Sequence, residues 1–103
     1  MVIELTGATF DEEVFKSDLP VLIDFWAPWC APCNAMAVFI EEAAQKLNGK
    51  AKICKVNAES QPDLTERFRV LSVPTLMLVK NGKIITRFTG AKDTEELIEF
   101  LDL

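Results

Sequence analysis

The chain has 103 residues, enough for one domain with a single core and too few for two. Half of them are hydrophobic, and 11 Lys and Arg stand against 16 Asp and Glu, a formal charge of -5. The basic residues are scattered, which excludes a nucleic-acid or anionic-membrane surface built on a basic patch and leaves the acidity as a solubilising charge.

Val2 to Leu5 reads as a short strand. Thr9 followed by Glu12 is a capping-box pattern, and Asp11, Glu12 and Glu13 suit the first turn of a helix that runs to Phe15 or Lys16. After Asp18-Leu19-Pro20 the run Val21-Leu22-Ile23-Asp24-Phe25 is almost continuously apolar, as a central strand covered on both faces should be. From Pro32 to Leu47 apolar residues recur at Met36, Phe39, Ile40, Ala43, Ala44 and Leu47, which predicts an amphipathic helix stopped by Asn48-Gly49.

Ile53 to Asn57 is the next strand, and Gln61-Pro62-Asp63 opens a short helix ending at Phe68. Thr75 to Val79 and Ile84 to Phe88 flank Asn81-Gly82, a strong hairpin signal. Asp93 and Glu96 repeat the capping pattern ahead of Leu97, Ile98, Phe100 and Leu101. Alternating strands and helices followed by a hairpin give an α/β fold, one mixed sheet of five strands flanked by four helices, in a single domain over residues 1–103.

The chain opens without a basic segment leading into an apolar stretch, and its longest apolar runs are too short to cross a bilayer. A soluble cytoplasmic protein is the expectation. Three cysteines, Cys30, Cys33 and Cys54, make an odd count that suits a disulfide scaffold poorly, whereas C-x-x-C in this setting reads as redox chemistry.

Cys30 and Cys33 fall where the apolar strand gives way to the long helix. Unpaired N–H groups and the positive end of the helix dipole favour a thiolate there, so Cys30 is expected to attack and Cys33 to resolve. Pro32 suits a first turn that has no use for its missing N–H. A zinc site needs about four ligands, and the chain has no His. Asp24, a charge within the apolar strand, is a candidate acceptor for the proton that Cys33 must lose. Around the dithiol Trp26, Ala27, Pro28, Trp29, Ala31 and Pro32 make an uncharged rim on which varied polypeptides could lie.

The motifs Asp-Phe-Trp-Ala at 24–27, Trp-Cys-Ala-Pro-Cys at 29–33, Val-Pro-Thr at 73–75, Lys-Asn-Gly-Lys at 80–83 and Thr-Gly-Ala at 89–91, together with the order of elements, resemble the thioredoxins over nearly the whole chain. The resemblance implies the thioredoxin fold and a protein-disulfide reductase with no bound cofactor or metal beyond a redox-active Cys30–Cys33 disulfide. It implies a buried Asp24 that takes the Cys33 proton, with Lys55 as its partner, and a cis bond before Pro74 that leaves the backbone of Val73 free for substrate. Gly90 would join Trp29, Ala31 and Pro32 in the same groove. Disulfide-containing proteins would be the targets and an NADPH-dependent flavoprotein, thioredoxin reductase, the electron source; a monomer is expected.

Three departures from the family pattern stand out. Ala31 takes a place where Gly is commoner, Asn34 replaces a basic residue, and Val38 replaces a proline, which predicts a straighter helix. Cys54, in an apolar strand, is expected to be inert. Two rival readings are a binding module that uses the fold without turnover and a dithiolate carrier of zinc or copper.

Overall fold

A computed structural model describes residues 1–103. The elements run β1 (Val2–Glu4), α1 (Phe10–Val14), β2 (Val21–Trp26), α2 (Ala31–Lys46), β3 (Lys52–Asn57), α3 (Pro62–Arg67), β4 (Thr75–Lys80), β5 (Lys83–Thr89) and α4 (Thr94–Leu101). They form one sheet in the order β1-β3-β2-β4-β5. β1, β3 and β2 are parallel, while β4 is antiparallel to β2 and β5 to β4. The expected mixed five-stranded sheet with four helices is the observed fold.

β2 is the middle strand, and its near-continuous apolar run is explained by what covers each face. Val21, Ile23 and Phe25 join Phe10 and Val14 of α1 and Leu64 of α3 in one core. Leu22 points the other way, into a core with Met36, Ile40 and Ala43 of α2 and Leu97 and Leu101 of α4. Each fully buried Leu, Ile or Phe contributes about 1.5–3 kcal/mol, so the central strand is a main source of cohesion. The first core is aromatic: the Phe10 and Phe68 rings lie 4.9 Å apart, and Arg67 covers Phe68 while pairing with Asp11 at 2.9 Å.

Most element ends follow the local signals. Asp93 accepts from the Glu96 N–H at 2.9 Å and the Glu96 carboxylate accepts from the Asp93 N–H at 3.0 Å, a complete capping box. Asn81 and Gly82 both take positive φ, 52° and 74°, as a tight hairpin turn demands. α2 runs unbroken from Ala31 to Lys46, with Val38 on its exposed side.

The Thr9 capping box does not form. Thr9 already has helical backbone angles, because a turn has begun at Thr6, whose carbonyl accepts from the N–H of Phe10 at 3.0 Å. The Thr9 hydroxyl oxygen therefore accepts from the Thr6 N–H behind it, and Glu12 turns outward to Lys16.

Register brings the functional elements to one end of the sheet. β1, β3 and β2 end there at Glu4, Asn57 and Trp26, while β4 starts there at Thr75, opposite Phe25. The N-terminus of α2 and the Val73–Pro74 bend follow from the same arrangement, the one beyond the end of β2 and the other just before β4, and Gly90 joins them because β5 ends at Thr89, the register partner of Thr75.

Candidate active site

Cys30 leaves the strand-to-helix loop in an extended conformation, φ -88° and ψ 109°, and is the N-cap of α2. Its Sγ accepts from the backbone N–H of Cys33 at 3.2 Å, the bond that a cap side chain makes to the third helical residue. Pro32, in the first turn, leaves no N–H wasted, and that turn holds no acidic side chain. The two cysteines, with Cα atoms 5.2 Å apart, are joined in a disulfide. Both are buried, Cys30 to 4 % exposure, in a cluster with Ala27 against which Trp26 and Val73 pack.

Asn34 has a structural task in place of a charge: its Nδ2 donates to the carbonyl of Pro28 at 3.1 Å. This ties the first turn of α2 to the loop that delivers Cys30.

Asp24 sits on the face of β2 that α2 covers, one strand pleat beyond Leu22, at 1 % exposure. Its Oδ1 has no hydrogen-bond partner. Burial is the main cause that pushes its pKa up, to about 7, opposed by the Lys55 charge and assisted by that of Glu4. Lys55 is the register partner of Asp24, as the expected pairing requires. Yet the ammonium does not bond the carboxylate; it rests 4.5 Å from the centre of the Trp26 ring. Trp26 in turn donates its indole N–H to Glu4 at 3.3 Å.

The Val73–Pro74 bond is cis. The Val73 carbonyl oxygen lies 3.7 Å from Cys30 Sγ, and the Pro74 carbonyl accepts from the Gly90 N–H at 2.9 Å. Gly90 has φ +130°, and a Cβ there would meet the Phe88 ring at 3.2 Å, so the position calls for glycine. Ala31 and Pro32 are exposed beside the dithiol, and Trp29 is 70 % exposed. The structure thus brings the anticipated residues together at one end of the sheet.

It adds others that no local pattern announced. A groove of about 260 Å³ runs between Trp29, Ala58, Thr65, Val70, Leu71 and Val73. Leu71 is 95 % exposed, an apolar side chain standing free two residues before Val73. Its only signal in the sequence is a leucine within a loop.

Cys54 lies fully buried in the aromatic core, where desolvation pushes its thiol up to about 12. No three His, Cys, Asp or Glu side chains are grouped to hold a metal ion.

The family model for thioredoxin matches residues 1–103. The chain belongs to the thioredoxin family. Thioredoxin 1 of Nostoc is 41% identical over 99 residues, spanning 96% of this chain and 92% of the relative. A thioredoxin of Rickettsia bellii is 41% identical over 102 residues, covering 99% and 97%, and one of Pseudomonas aeruginosa 40% over 101 residues, covering 98% and 94%. The redox-active disulfide of this thioredoxin-family member is Cys30–Cys33, and its chemistry is dithiol–disulfide exchange, the reaction of a protein-disulfide reductase. Thioredoxins as a family act with a reductase and with disulfide-bearing targets. No helix of this chain is long and apolar enough to cross a membrane.

Proposed function

We propose that Cys30 is the nucleophile and Cys33 the resolving thiol in the reduction of protein disulfides. The observation that carries this is the N–H of Cys33 donated to Cys30 Sγ at the start of α2, a bond that strengthens when the sulfur is a thiolate. The Cys30 thiolate attacks one sulfur of the target disulfide, and the other leaves as a thiolate. Cys33 then gives its proton to Asp24 and attacks Cys30 Sγ, which forms the Cys30–Cys33 bond and releases the second target sulfur.

Asp24 suits the acceptor role because its pKa of about 7 lies near the working pH, with Lys55 modulating it through charge. Trp29, Ala31, Pro32, Val73 and Gly90 form the substrate-facing surface, the buried Pro74 fixes the cis bend that presents Val73, and the exposed Leu71 extends the surface. The Val73 backbone is the strand-like edge along which a target segment would lie. An NADPH-dependent flavoprotein thioredoxin reductase would regenerate the dithiol. Residues 1–103 would work as one monomeric domain, in the cytoplasm, where thiols stay reduced.

Catalytic reduction of insulin disulfides tests the assignment. Cys30→Ser should abolish turnover, and Cys33→Ser should accumulate a mixed disulfide through Cys30. Turnover by the Cys30→Ser protein, or a trapped adduct at Cys33 in place of Cys30, would overturn it.

A further inference from the structure

Glu4, Lys55 and Asp24 form a single row across three strands. Glu4 is the register partner of Lys55 between β1 and β3, and Lys55 that of Asp24 between β3 and β2. Residues directly opposite one another in a sheet project from the same face, so the row is carboxylate, ammonium, carboxylate. Lys55 is in none of the chain's ion pairs. Its Nζ rests 4.5 Å from the centre of the Trp26 ring, and that ring is held by its own N–H, donated to Glu4 Oε2 at 3.3 Å.

The cation of the row is thus parked on an indole that Glu4 fixes, while the Asp24 Oδ1 is left without a partner. We infer that Glu4 governs how tightly Asp24 holds its proton, through its own charge and through its grip on the ring beneath the Lys55 ammonium. Glu4 is a positioning residue in this sense, remote from the sulfurs and acting through Asp24.

The surroundings leave few competitors. On β4 the register neighbour of Asp24 is Leu76, and the buried residues of α2 are Cys33, Met36, Ile40, Ala43 and Ala44, none of them charged. α4 buries Thr94, Leu97 and Leu101. Lys55 and Glu4 are the charges that act on Asp24, and they act in opposite directions.

The consequence for turnover rests on Asp24 being the acceptor of the Cys33 proton. A lower proton affinity at Asp24 would extend the resolving step to lower pH, because the acceptor must be ionised to work.

The two ideas separate experimentally. The Asp24 carboxyl is titrated by carbon NMR in the oxidised protein, with its resonance assigned through Asp24→Asn, and compared in Glu4→Gln, which keeps an acceptor for the indole, and Glu4→Leu, which keeps neither acceptor nor charge. Glu4→Gln should lower the Asp24 midpoint by about half a pH unit, the Coulomb effect of one charge about two strand spacings away. Glu4→Leu, which also frees the ring and with it the ammonium, should lower it further. An Asp24 midpoint unmoved or raised in Glu4→Gln overturns the inference. If the midpoint falls as expected while the pH profile of the resolving step stays in place, the inference stands and the acceptor role of Asp24 is what fails.

Discussion

The guanidinium of Arg87 on β5 donates to the carbonyl of Phe68 at 2.6 Å and to that of Arg69 at 3.2 Å. These carbonyls belong to the end of α3, where helix carbonyls lack internal partners, and Arg69 has a positive φ of 53°. The far end of the same loop is closed by the Thr75 hydroxyl, donated to the Ser72 carbonyl at 2.7 Å. Leu71 and Val73 are therefore presented from a segment pinned at both ends. Arg87→Ala should cost about 1–3 kcal/mol in chemical denaturation, from the loss of bonds donated by a charged group. It should also raise KM for a protein disulfide more than it lowers kcat. Equal loss on protein and small-molecule disulfides would show that the brace does not serve the substrate surface.

Asp24 makes stability fall as pH rises. Its folded pKa, about 7, lies above the ordinary value of 3.8, so the folded state holds the proton more tightly than the unfolded chain. Below about pH 4 both states are protonated and no penalty applies; between about 4 and 7 the penalty grows, and above that it is constant. The interval, at roughly 1.4 kcal/mol per pH unit, amounts to about 4 kcal/mol. Asp24→Asn should accordingly be the more stable protein at about pH 8 and nearly equal to the parent near pH 4, as urea midpoints would reveal. The same variant should slow the resolving half-reaction. Equal stability gains at both pH values would remove burial of this carboxyl as the cause.

Leu71 offers a cleaner separation of binding from folding. At 95 % exposure it contributes almost nothing to the core, so Leu71→Ser should leave stability within about 0.5 kcal/mol. Losing one apolar contact should raise KM for a protein disulfide by up to about tenfold while a small disulfide is reduced as before. Steady-state kinetics with both substrates decide the point, and an unchanged KM would detach Leu71 from the substrate surface.

Cys54 should be chemically silent. Its thiol is fully buried and pushed up to about 12, so it stays protonated at neutral pH. In the oxidised protein a maleimide or disulfide reagent should label nothing until denaturant is added, and then one site per chain. Rapid labelling of the native oxidised form would contradict the buried placement.

Much of this was legible because the signals are local. The apolar spacing from Met36 to Leu47, the Asn81-Gly82 turn and the Asp93 and Glu96 cap are each decided by residues within a few positions of one another. The cysteine pair at the mouth of α2 is of the same kind. Thr9 misled for a related reason: the capping pattern is a four-residue signal, and the turn starting three residues earlier at Thr6 had already claimed the backbone. What stayed hidden depends on register. Glu4 meets Trp26 across 22 positions and Arg87 meets Phe68 across 19, and neither pairing exists until the strands are laid side by side. Lys55 was anticipated as the partner of Asp24, yet its side chain settles on an aromatic ring that periodicity cannot place.

Trp26 packs against the dithiol cluster, Trp29 immediately precedes Cys30, and the chain has two Trp and no Tyr. Selective indole excitation therefore interrogates this one corner of the molecule and nothing else. Trp26 touches the cluster that holds both sulfurs, so its emission should change when their bond opens or closes, an optical readout of oxidation state that needs no attached label.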